Sequence, residues 1–152
     1  MSSRRQDILA ALIARVQAID GTGDYQTTVG EAVYVGETPQ LGPDDPASAL
    51  AIVIGEDEPG YQGEQILIDL PIQFQAIARV DDDNLPAAWM TVEAILADIK
   101  VAIEQTDRTV GGLVKRQLVR GSTRSLEREP GSLTVGAAIT YVVPYTELWG
   151  AP

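Results

Sequence analysis

The sequence predicts an α+β fold, with two helices packed on one face of a mainly antiparallel sheet of four to five strands. Two observations carry that prediction. Near the N-terminus and again around residue 95, apolar residues recur at the three- and four-residue spacing of a helix with one buried stripe. Residues 66–80 and 133–145 instead alternate apolar and polar at the period of a half-buried strand. The composition, 45% hydrophobic and 22% charged over 152 residues, is that of one globular domain spanning 1–152.

The elements follow in chain order. Ile8, Leu9, Leu12, Ile13, Val16 and Ile19 form the first stripe, on a helix from about Ser3 to Ile19. Ser2 or Ser3 caps its start, Asp7 favours its first turns, and Gly21 and Gly23 end it. Thr27–Val35, β-branched but interrupted by Gly30, suits a strand or hairpin. Residues 36–48, with Gly36, Pro39, Gly42, Pro43 and Pro46, read as a loop. Ala49–Ile54 is a short buried strand, and 55–65 a second, acidic loop. From Ile66 to Val80 the even positions are apolar. Pro71 cannot donate a ladder hydrogen bond, which places it at a sheet edge or a bulge. Asn84 or Asp83 caps the second helix, whose stripe is Trp89, Val92, Ile95, Leu96, Ile99 and Ile103, through about Gln105. Asp107–Gly112 is its exit. A strand lies within Leu113–Ser125, and the turn Glu129-Pro130-Gly131-Ser132 makes a hairpin with the alternating run Leu133–Tyr145. Residues 146–152 read as a short coil.

Much chemistry is excluded at once. The chain has no cysteine and no histidine, so disulfides, thiolate metal sites and Ser-His-Asp or Cys-His catalysis cannot be built. Carboxylates remain. Asp81, Asp82 and Asp83 are the sharpest cluster, followed by Glu56, Asp57 and Glu58. Neither lies in a glycine-centred loop with a distal glutamate of the kind that binds Ca²⁺, and a helix-capping turn accounts for the first. Asp69 and Glu93 are available as an acid/base pair, but nothing in the sequence sets them about one bond. Gly111-Gly112 follow a helix, whereas phosphate-binding glycines precede one. Arg108 nearby complements the helix dipole.

No apolar run reaches the roughly 20 residues of a membrane helix, and the N-terminal segment lacks a signal-peptide pattern, so the chain is expected to be cytoplasmic at synthesis. The net charge of −11 is unevenly spread. Asp20 to Asp83 holds fourteen acids and a single base, Arg79, whereas Arg108, Lys115, Arg116, Arg120, Arg124 and Arg128 crowd one later segment. Aromatic platforms for nucleic acid are missing from that segment. Contact between a basic face (those six residues) and acidic loops of a neighbouring copy (Asp44, Asp45, Glu56, Asp57, Glu58, Asp81, Asp82, Asp83) is the expected use.

A resemblance sharpens this picture. The strand Leu70-Pro71-Ile72-Gln73-Phe74-Gln75-Ala76 precedes a helix containing Ala94-Ile95-Leu96-Ala97-Asp98-Ile99-Lys100. Asp107-Arg108-Thr109-Val110-Gly111-Gly112-Leu113 comes next, then Thr140-Tyr141-Val142-Val143-Pro144-Tyr145 and a Gly150-Ala151-Pro152 ending. This order resembles the tail terminator (tail completion) proteins of long-tailed bacteriophages, the group that includes minor tail protein U. Residues 36–48 and 55–65 lie outside it.

The resemblance implies an α+β subunit without catalytic residues, cofactor or metal, assembled in the host bacterial cytoplasm into a six-fold ring in the virion. Such a ring caps the tail tube, halts its polymerisation and joins it to the head connector, so its partners are itself, the tail tube protein and the neck. DNA only passes through the lumen. Two other readings stand beside it: another head–tail joining, neck or tube-like subunit, and, from a different class, a small carboxylate-dependent hydrolase or metal-binding domain.

Overall fold

A computed structural model describes residues 2–152. Helix α1 spans Arg4–Gln17 and is opened by a reciprocal cap: Ser3 Oγ accepts from the Gln6 amide at 3.1 Å while the Gln6 side chain accepts from the Ser3 amide at 2.7 Å. Its buried residues are Ile8, Leu12 and Val16, with Ile19 buried just beyond its end.

The expected strand or hairpin over 27–35 resolves differently. Val29–Glu31 forms one 3₁₀ turn, and only Val33–Val35 is strand, β1. Gly30 gives the physical reason. Its amide donates to the Ile19 carbonyl at 3.0 Å, and a Cβ placed on it would lie 2.5 Å from the Gln17 carbonyl oxygen. The segment therefore bends around the exit of α1 before it can join a ladder.

Strands β2 (Ser48–Ile54), β3 (Glu58–Gln62), β4 (Gln65–Arg79), β5 (Val119–Ser125) and β6 (Thr134–Leu148) complete a six-stranded sheet of order β1-β2-β4-β6-β5, with β3 also on β4. All pairs are antiparallel except β1 with β2. The strand beyond the expected five is β3, within the segment read as an acidic loop. Glu58, Pro59, Tyr61 and Gln62 are exposed, so no burial period marks them.

β2 and β3 run in succession along the same edge of β4. Ile54 faces Ile72 and Glu58 faces Asp69, so three residues on one side oppose two on the other. Pro71 sits at this bulge. Its carbonyl accepts from the Gly55 amide at 2.8 Å, and its missing N–H points to the same irregular junction. Pro71 thus occupies a bulge within a central strand, one of the two sites expected for it.

Helix α2 (Leu85–Lys100) is capped by Asn84, whose side chain accepts from the Ala87 amide, and it passes into a π-turn at Val101–Gln105. Residues of both helices share one core with the even face of β4 and the odd face of β6, including Phe74, Ile139, Tyr141 and Val143. On the opposite face, Leu41 covers Ala49, Ala51 and Ile77 in a smaller cluster. Arg79, the lone base of the acidic half, donates to the carbonyls of Gly42 at 2.8 Å and Asp45 at 2.9 Å, pinning that covering loop.

One further expectation is narrowed and two need correction. The strand expected within Leu113–Ser125 is there as β5, confined to Val119–Ser125 because Val114 and Leu118 turn into the core. The tail is not all coil: β6 continues to Leu148, and the Trp149 ring stacks on Tyr61. The C-terminal carbonyls after α2 are met by Arg15 of α1, which donates to Ile103 and Asp107; the Arg108 side chain makes no such bond. The chain approaches these carbonyls in three dimensions from α1, which helical position alone does not reveal.

Asp98 is fully buried. Its carboxylate accepts from the Gln26 and Thr27 amides, each at 2.8 Å, and from the Thr27 hydroxyl at 2.7 Å, tying the loop after α1 to α2. Asp98→Ala strands two amides and is expected to lower stability by on the order of 3 kcal/mol in urea denaturation. Gly30→Ala forces a Cβ against fixed backbone and should cost about 1–3 kcal/mol. Unchanged unfolding midpoints for either variant would contradict these packing assignments.

Candidate functional site

The carboxylates do not converge on a reaction centre. Among the described residues, no group of three or more is placed to hold a metal ion. Asp82 and Asp83 occupy the left-handed region at φ 51° and 56°, in a turn before the Asn84 cap. Asp81 pairs with Arg79 at 2.7 Å. Asp45 accepts from the Gly42 amide at 2.8 Å, and Asp44 beside it is exposed. Beside the bulge in β4, Asp57 pairs with Arg5 of α1 at 3.1 Å, while Glu56 and Glu58 stand exposed.

The eight expected acids therefore form two groups. Arg79 gathers Asp45 and Asp81, with Asp44, Asp82 and Asp83 nearby in sequence. The trio Glu56, Asp57 and Glu58 lies beside Asp69, ten residues along β4 from Arg79, on the order of 30 Å at strand rise.

The six bases also divide. Arg120 grips Glu104 of the π-turn through two bonds, 2.8 and 2.6 Å, and the Tyr141 hydroxyl donates to the same carboxylate. Burial alone raises the Glu104 pKa, but the bonds from Arg120 and Tyr141 outweigh it and hold the carboxyl below its ordinary value. Burial raises the Tyr141 hydroxyl, and the Glu104 charge adds to that. This cluster fixes the exposed edge strand β5 to the end of α2. Arg128 donates to the Ser132 carbonyl at 2.7 Å and closes the β5–β6 turn. Arg108, Lys115, Arg116 and Arg124 are exposed and form no ion pair among the described residues. The backbone of Arg116 is held at φ 70°.

Two apolar surfaces were not anticipated. β3, the start of β4 and the end of β6 form a three-stranded arm. Tyr61 and Trp149, 67% and 62% exposed, stack at its tip with centroids 5.5 Å apart, and Leu148 is exposed beside them. On the arm's other face, Leu67, Val142, Pro144 and the exposed Val119 line a groove of about 780 Å³, flanked by Lys115 and Arg116, with Asp69 on its opposite wall. The only sequence signal for either surface was negative: Trp149 and Tyr61 lie where no burial pattern claims them.

No family model and no curated protein matches the sequence. Among solved structures, a chain described as "Virion of native gene transfer agent (GTA) particle" superposes with a TM-score of 0.56. The likeness is at 17% identity and covers 91% of this chain and 97% of that one. It shows a shared α+β fold over nearly the whole of both chains.

Because Glu104 titrates low in the folded state, its bonds stabilise the protein above the usual glutamate range and are lost as pH falls through the depressed value. Glu104→Gln is expected to be less stable than wild type at pH 7, with a smaller gap at pH 3, below the ordinary glutamate range. Urea titrations at both pH values measure this; a gap undiminished at pH 3 contradicts the assignment.

Proposed function

We propose that this chain is a structural protein of a phage-like virion, a tail terminator whose copies close into a ring of six, the size the resemblance implies, capping the tail tube and joining it to the head connector. The observation that carries this reading is the fold shared over nearly the full length of a chain in a gene transfer agent virion. The ordered motifs that resemble tail terminators support the finer assignment. The chain is not an enzyme in this reading, in which Asp45, Asp57, Asp81 and Glu104 are engaged in a turn and in ion pairs within the subunit.

A closed ring needs two different surfaces on each subunit that fit one another. The unpaired bases Arg108, Lys115, Arg116 and Arg124 supply one sign, and the exposed acids the other. Arg120 and Arg128 serve the subunit's own fold, so the interface reading now rests on the other four. The net negative charge suits a lumen through which DNA passes without sticking.

Light scattering on the purified protein, alone and with tail tube protein, is expected to give a species of six chain masses. A protein that stays monomeric at high concentration with tube protein and Mg²⁺ present would count against the ring. Charge reversal at Arg116 and Arg124 is expected to weaken assembly at least tenfold while leaving the unfolding midpoint in place; unchanged assembly would remove these residues from the interface.

A further inference from the structure

Each arm presents two unlike faces. Residues paired across antiparallel strands share a face, so Tyr61, Ile66 and Glu147 form one row on the helix side of the sheet. Ile66 packs at the margin of the main core, whereas Tyr61 projects beyond it and Trp149 stacks upon it. The result is an aromatic knob with Glu147 in the same cross-strand row. On the reverse face, Pro144 stands opposite Asp69, and Val142 opposite Pro71 and Val119. There the apolar groove is flanked by Lys115 and Arg116.

We infer that the Tyr61–Trp149 knob of one copy seats in the Val119–Val142–Pro144 groove of a second copy, so that arms stack face to face around the assembly. Charge complementarity selects this occupant: Glu147 lies in the knob's row, and around the groove Lys115 and Arg116 outnumber Asp69. Stacked tyrosine and tryptophan side chains, exposed on a subunit, match the residue types that anchor protein interfaces. Knob and groove lie on opposite faces of one arm, so the contact is heterologous and propagates from copy to copy. This inference rests on the ring reading and gives it a specific joint.

The chain has no cysteine, which makes disulfide trapping clean. Gln117→Cys, on the rim of the groove, and Ala151→Cys, two residues beyond Trp149, change exposed positions and leave Tyr61, Trp149, Val119, Val142 and Pro144 in place. Under mild oxidation, an equimolar mixture of the two single variants is expected to yield a covalent heterodimer that neither forms alone, and the double variant a ladder of covalent oligomers. In a Trp89→Phe background, Trp149 emission is expected to shift to the blue on assembly. A mixture that yields no heterodimer while wild type still runs as a ring overturns the knob-in-groove joint and leaves the ring reading standing. Cross-linking of either single variant with itself overturns the heterologous geometry. A wild type that is monomeric under every condition overturns both.

Discussion

Fifteen residues of β4 pair in unbroken antiparallel register with fifteen of β6, from Gln65 opposite Leu148 to Arg79 opposite Thr134. Their facing side chains, among them Leu70, Ile72, Phe74, Ile139, Tyr141 and Val143, supply the floor on which α1 and α2 pack. A slip of one residue would turn this floor to the wrong side. The same ladder extends beyond the helices, and that surplus length becomes the arm. At its other end Arg79 holds the loop that covers the small cluster around Leu41 and Ile77. Core, arm and covering loop are thus all positioned by one double strand.

The bulge at Gly55 and Pro71 lets β3 extend the ladder of β2. A proline in a central strand leaves one ladder position without a donor. Here the neighbouring chain inserts its extra residue at that position, then resumes pairing as β3. Gly55 is required because a Cβ there would meet the Pro71 ring at 2.8 Å. Without β3, Tyr61 would have no fixed place opposite Ile66, and Trp149 nothing to stack on.

The parts of the fold set by periodic burial were legible in the sequence. The even positions of β4, the odd positions of β6 and both helix stripes enter the core as their spacing implies. Pro71 was legible as a bulge or edge residue because its chemistry leaves few alternatives. β3 was not, since a strand exposed on both faces has no period and its Pro59 and Gly60 read as turn residues. The bend at Gly30 depends on a carbonyl of α1, and the Arg15 bonds after α2 join distant segments; neither has a local signature. The charge asymmetry was legible as a bulk feature, but sorting its members required the fold: Arg120 belongs to Glu104, whereas Arg116 and Arg124 remain unpaired. The aromatic tip stayed hidden because β4 alone brings β3 and the end of β6 together.

In this account the protein acts by presenting surfaces, and the ordering of its parts serves to hold two unlike faces in fixed relation. The most direct measurement is electron microscopy of tail tube protein polymerising with and without this chain. The account predicts shorter tubes, each carrying ring-shaped density at one end, at substoichiometric amounts of the chain. Tubes of unchanged length with bare ends would contradict it.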